Sequence, residues 1–250
     1  MSDKTTFVSF LLDETGSMQS IKDDTVGGFN EYLSTLRESG EDIVFSFVSF
    51  NSTETRRRCI AEPIASVKPL EPADYEPRHS TPLIDASVKI IKATEEAVAH
   101  RGDDPKVVVV IQTDGQENVS VEHTNADLAA LIKEKDAAGW KFVFLGAGLD
   151  AFAAAREAGL HIPAEQIASY ARGRSREAFR ATADNLSAFA QSGETKSLSY
   201  SADQRQSVGD EYADQYLEES ASGGNEAPKK RRWWPFGARS TADDYDLSDR

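Results

Sequence analysis

The chain has 250 residues, of which 39% are hydrophobic, and a formal net charge of −14 from 28 basic and 42 acidic side chains. That length accommodates one α/β domain with extra sequence, or two small domains, and the acidic balance argues against binding nucleic acid by neutralising phosphates. A single cysteine, Cys59, excludes an intramolecular disulfide and a cysteine-rich zinc site and suits a reducing compartment.

The first apolar run, Phe7 to Leu12, is short and has no small-residue cleavage site after it, so it reads as a buried strand rather than a signal peptide. No apolar stretch approaches the roughly 20 residues that cross a bilayer. A soluble, cytoplasmic protein is expected. Ile21 to Leu36 places Ile21, Phe29, Leu33 and Leu36 on one helical face. Ile43 to Phe50 is a second strand, rich in β-branched and aromatic residues. Arg57 to Val67 is a weaker third strand, placed at a sheet edge because Pro63 interrupts it. Pro82 stands where a first helical turn begins, and a helix runs from Leu83 to His100. Val107 to Ile111 is a continuous apolar run, as expected of a parallel strand covered on both faces.

A helix follows from Asn125 to Ala138, closed by Gly139, then a strand from Trp140 to Leu145. A short helix from Asp150 to Ala158 ends at Gly159, a last short strand spans Gln166 to Tyr170, and a closing helix spans Ser175 to Gln191. The alternation predicts an α/β fold with a doubly wound, mostly parallel central sheet of about six strands and helices on both faces. Past residue 195 apolar side chains thin out, which predicts a domain over 1–195 and a flexible polar tail over 196–250. Within that tail, Lys229-Lys-Arg-Arg is followed by Trp233, Trp234 and Phe236. This pattern suits a short element that docks into a partner groove or touches an anionic membrane surface, against the plainer reading of an incidental solvated patch.

In a doubly wound sheet, ligands bind beyond the carboxyl ends of the strands, where the strand order reverses. Three loop–helix junctions reach that end: Asp13-Glu-Thr-Gly-Ser17 after the first strand, His79-Ser-Thr-Pro-Leu83 before the Leu83 helix, and Gln112-Thr-Asp-Gly-Gln-Glu-Asn118 after the Val107 strand. Their side chains are carboxylates and hydroxyls: Asp13, Thr15, Ser17, Thr81 and Asp114. Oxygen donors of this kind suit a hard cation, Mg²⁺ first, with Mn²⁺ or Ca²⁺ as other candidates. Gly16 permits the tight backbone path between Thr15 and Ser17.

With these three motifs in this order, the sequence resembles a von Willebrand factor A domain over roughly residues 5–190. That family binds metal with an Asp-x-Ser-x-Ser loop, a distant Thr and a distant Asp, the metal-ion-dependent adhesion site. Here Thr15 replaces one Ser and keeps the hydroxyl, and His79-Ser80 stands where the second loop often carries glycine. The resemblance implies that Ser17 and Thr81 touch the metal directly, that Thr15 does so in one state, and that Asp13 and Asp114 act directly or through water. It implies a Rossmann-like sheet and a protein partner whose acidic side chain completes the coordination. Gly139-Trp-Lys-Phe-Val-Phe-Leu-Gly-Ala147 and Thr113-Asp-Gly-Gln-Glu-Asn118 are similar to segments of small intracellular bacterial and phage members, and bacterial members often serve as adaptors for AAA+ ATPases. A binding module rather than an enzyme is therefore expected.

Two rivals use the same residues: a phosphatase-like, metal-dependent hydrolase with Asp13 as nucleophile, and a degenerate scaffold that binds nothing. The hydrolase needs a second acid two residues on, where this chain has Thr15. Gly146-Ala-Gly148 follows a strand like a dinucleotide fingerprint but lies outside the first βα unit, so close helix–strand packing explains it better. Glu14 reads as a solvent-facing loop residue, Glu117 and Asn118 as loop caps, His79 and His123 as loop residues without a metal role, and Cys59 as an ordinary buried or half-buried thiol.

Overall fold

The computed structural model describes residues 4–221. In chain order it holds β1 (Thr6–Asp13), α1 (Lys22–Glu38), β2 (Ile43–Phe50), β3 (Thr55–Pro63), α2 (Leu83–Arg101), β4 (Lys106–Thr113), α3 (Asn125–Ala137), β5 (Lys141–Ala147), α4 (Ala151–Glu157), β6 (Ile167–Tyr170), α5 (Ser175–Ser192), α6 (Ala202–Val208) and α7 (Ala213–Ala221). The strands form one six-stranded sheet in the order β3-β2-β1-β4-β5-β6. Every pairing is parallel except that of β3 with β2. The expected fold class is the observed one, and the Pro63-containing strand lies at an edge.

The period-2 alternation of a strand decides how β1 feeds two cores. Val8, Phe10 and Leu12 point into one cluster with Phe29 and Leu33 of α1 and Phe179 and Leu186 of α5. Phe7 and Leu11 point into the other, with Ile90 and Ile91 of α2, Leu128 and Ile132 of α3, and Phe152 of α4. All eight residues of β1 are consequently buried, as the centre of a parallel sheet requires. Phe10 anchors the first cluster, its ring 5.3 Å from that of Phe29 and 5.6 Å from that of Phe179.

The packed unit extends past residue 195, where a flexible tail was expected to begin. Leu198, Tyr200 and Val208 are buried in the α1–α5 core, and Ala213 and Tyr216 in the opposite one. Tyr216 stacks on Phe152 at 4.7 Å. The sequence hid this because the segment's apolar residues are few and widely spaced, and much of its attachment is polar. Arg205 and Asp210 form a buried ion pair at 2.8 Å. Arg205 donates to the Ile167 carbonyl at 2.9 Å, the Ser169 amide donates to Asp210 at 3.3 Å, and the Ala171 amide donates to the Val208 carbonyl at 2.9 Å. These are alternate backbone groups along the free side of β6, the last strand of the sheet. The aromatic patch at Trp233, Trp234 and Phe236 lies outside the described residues.

Candidate metal centre

The chain leaves β1 toward β2 on one side, and β4 is reached by the crossover through α2 on the other. The carboxyl ends of β1 and β4 therefore flank the point where the strand order reverses, and a crevice opens there. Asp13 is the last residue of β1; Thr113 ends β4 and Asp114 follows it. The turn after Asp13 folds back on itself: the Thr15 amide donates to Asp13 Oδ1 at 2.7 Å, and the Gly16 amide donates to the His79 carbonyl at 2.9 Å.

All five predicted side chains converge. The Thr81 hydroxyl donates to Thr15 Oγ1 at 3.2 Å, Thr15 Oγ1 lies 3.3 Å from Ser17 Oγ, and Ser17 Oγ donates to Asp114 Oδ1 at 2.5 Å. Asp13 joins this line through the Thr15 amide, and its Oδ2 accepts from the Thr113 hydroxyl at 2.5 Å. Asp13, Thr15, Thr81 and Asp114 are buried. Burial pushes the Asp13 carboxyl up to about 7 against the opposing hydrogen bonds of Thr113 and Thr15. Burial also raises Asp114, with the Ser17 hydroxyl and the Arg172 guanidinium opposing.

Thr81 is held by a clasp between its loop and the 115–123 loop. Asn118 accepts from the Thr81 amide at 3.0 Å and its own amide donates to the Thr81 carbonyl at 3.2 Å. Glu117 accepts from the Ile84 amide at 2.8 Å in the first turn of α2, as well as from the amides of Val119 and Ser120. Both act as the caps expected of them, and α2 needs them because Pro82 offers no side-chain cap. Asp85 reciprocates by accepting from the amides of Val121, Glu122 and His123. Burial pushes the Asp85 carboxyl up, but those amides and the His123 ring outweigh it and hold it below its ordinary value. His79 takes a φ of 67°, left-handed backbone that glycine adopts without strain. The loop thus keeps a glycine-like bend with a histidine in it.

Glu14 is the clearest departure from the sequence reading. It is buried, not solvent-facing. Its carboxylate accepts from Ser49 Oγ at 2.6 Å, from Arg58 at 2.9 Å and from the Glu76 amide at 2.8 Å, with Arg56 at 3.5 Å. Tyr75 adds a hydroxyl that donates to the Asp13 carbonyl at 2.5 Å. Arg56 and Arg58 stand two apart on β3 and so share a face. That spacing was a readable signal for a carboxylate partner, but nothing in it named Glu14. Cys59 is half-buried and its thiol is pushed up to about 11 by burial, as fits an unreactive position. A Cβ at Gly146 would lie 2.7 Å from that of Ala151, so this glycine serves close packing of strand on helix.

The donor set fits a divalent cation. It consists of oxygens alone, and among the described residues no cation pairs with Asp13 even though its carboxyl is fully buried. No three His, Cys, Asp or Glu side chains come together among the described residues to hold a metal, so the hydroxyls are needed as donors beside the two carboxylates. Gly115 keeps the space between them open: a Cβ there would lie 3.3 Å from Thr81 Oγ1 and 3.7 Å from Ser17 Oγ.

No protein-family model matches the sequence, and no curated protein matches it. Solved structures do share its architecture. Proximal thread matrix protein 1 from the mussel byssus superposes with a TM-score of 0.55 at 12% identity, over 73% of this chain and 48% of that one. A von Willebrand factor type A protein from Catenulispora acidiphila gives 0.52 at 15% identity, over 76% and 43%. This chain has the von Willebrand factor A fold. The pilus adhesin SpaC from Lactobacillus rhamnosus GG also superposes, with a TM-score of 0.53 at 11% identity over 76% of this chain and 31% of the adhesin. The chain thus spans less than half the length of each of these A-fold neighbours, and at such identities the likeness is one of fold. Among the described residues no helix is long and apolar enough to cross a membrane.

Proposed function

We propose that this A domain binds a divalent cation, Mg²⁺ by preference, and through it the acidic side chain of a protein partner, without catalysing a reaction. One observation carries the reading: Asp13 is a fully buried carboxylate whose partners are neutral donors, set among the hydroxyls of Thr15, Ser17 and Thr81 with Asp114 across from it. An uncompensated charge in such a place is costly, and a cation resolves it. Ser17 and Thr81 would hold the cation directly, Thr15 in one state of the site, and Asp13 and Asp114 directly or through water. When bound, the cation supplies Lewis acidity toward an incoming oxygen. The hydroxyls, being neutral, leave much of its charge unsatisfied, so a carboxylate from outside is the favoured last ligand. Thr15, at the position where a phosphatase-like mechanism needs an acid, is no proton carrier, which favours binding over hydrolysis. A component of an AAA+ ATPase assembly is the first partner class to test, on family analogy alone.

Thermal unfolding with Mg²⁺ or Mn²⁺ against EDTA checks the metal step, because a ligand of the native state must raise its stability. The wild-type melting temperature should rise with metal and that of Asp13→Ala should not. Affinity capture with and without EDTA checks the partner step. Capture that is indifferent to both EDTA and Asp13→Ala rejects the bridge.

A further inference from the structure

Of the candidate ligands, Asp114 alone is paired with a cationic side chain among the described residues. Arg172 Nη2 donates to Asp114 Oδ2 at 3.2 Å, and Arg172 Nη1 donates to Ser20 Oγ at 2.5 Å. With Ser17 on Oδ1, both oxygens of Asp114 are engaged. The guanidinium reaches in from outside: the Arg172 side chain is 46% exposed, while that of Asp114 is wholly buried. A track is left open for it. Gly148 has a φ of 64°, and a Cβ there would lie 2.9 Å from Arg172 Cγ and Nε.

The loop that carries Arg172 does not need this ion pair to stay in place. The Ala171 amide donates to the Val208 carbonyl at 2.9 Å, the Arg174 amide to the Ala171 carbonyl at 3.0 Å, and the Ser175 amide to Asp24 at 3.0 Å. Those bonds fix the loop on either side of Arg172, and its guanidinium is then presented to a carboxylate that is itself a candidate metal ligand.

We propose that Arg172 is an intramolecular competitor for the cation at this centre and so sets its metal affinity. The inference rests on the metal-binding reading above. With the site metal-free, the guanidinium neutralises Asp114. A divalent ion among the same oxygens repels it, so entry of the ion has to weaken or break the Arg172–Asp114 pair. The net affinity is then the intrinsic affinity of the five oxygens less the cost of losing that pair. Charge at position 172, rather than the shape of the side chain, is the determinant.

The test is Mn²⁺ affinity of the full chain, read by water-proton relaxation on wild type, Arg172→Gln, Arg172→Lys and Asp13→Ala. Arg172→Gln should bind Mn²⁺ up to about fivefold more tightly than wild type, the factor expected for losing one partly exposed charge–charge competition. Arg172→Lys should stay close to wild type because it keeps the charge. Adding Asp13→Ala to Arg172→Gln should abolish the gain, which places the bound ion at this centre. Equal affinities for wild type and Arg172→Gln overturn the competitor and leave the metal reading standing. No binding by either removes both. Metal bound by Arg172→Gln and not by wild type is the strongest form of support.

Discussion

Asp13 and Glu14 are adjacent in the chain and both carboxylates are buried, yet they meet opposite surroundings. Glu14 points back toward β3 and receives Arg58, Arg56, Ser49 and a backbone amide. Asp13 points toward β4 and receives a hydroxyl and an amide, with no cation beside it among the described residues. The last residue of β1 and the one after it thus give the molecule one carboxylate whose charge is met from within and one whose charge is met, among the described residues, by neither arginine nor lysine. The first braces the loop, and the second is what a site for an external cation requires.

The largest expected effect that separates the pair is a pH dependence. A carboxyl held at about 7 in the folded chain, against 3.8 ordinarily, keeps its proton in the native state while the unfolded state has already lost it. Metal-free stability should therefore fall as pH rises from about 4 to about 7 and level off above, by up to ~4 kcal/mol on this one group. Asp13→Asn should remove that slope in denaturant titrations run in EDTA at a series of pH values. A wild-type slope no steeper than the variant's breaks the contrast with Glu14. Mn²⁺ should restore most stability above pH 7, where Asp13 is ionised.

Glu14→Gln comes next. It strands the Arg58 guanidinium in a mostly buried setting and should cost about 3 kcal/mol in chemical denaturation, at high and at neutral pH alike and with or without metal. A loss that appears only with metal present would move Glu14 into the cation site and erase the distinction. Smallest is Arg56→Ala. Its contact with Glu14 is long, 3.5 Å, and the side chain is partly exposed, so the cost should stay below ~1 kcal/mol. Arg56 also pairs with Glu54 at 2.6 Å, so only a larger loss that disappears in the Glu14→Gln background would make Arg56, rather than Arg58, the main partner of Glu14.

The sheet and the meeting of the five candidate side chains were legible because each rests on a short-range pattern. Val107 to Ile111 reads as a covered parallel strand, and Asp13, Thr15, Ser17, Thr81 and Asp114 each lie at or beside the end of an element that was readable. What the sequence concealed was pairing at long separation. Nothing near Glu14 announces Arg58, 44 residues on, and nothing near Asp114 announces Arg172, 58 residues on. The attachment of the segment 196–221 is hidden in the sequence for the same reason. Its hold on the body is an ion pair and a few main-chain bonds, not an apolar face that periodicity detects.

That segment has a practical consequence for the last strand. Through Arg205, Asp210 and Val208 it occupies the Ile167 carbonyl and the Ser169 amide of β6 and the Ala171 amide just past its end, standing in for a seventh strand. A protein cut after residue 195 would present those groups bare along an apolar strand, an open template on which a second chain can lay its own. Self-association of such a truncated chain, growing with concentration, would trace to the missing cover on β6 rather than to any weakness of the core beneath it.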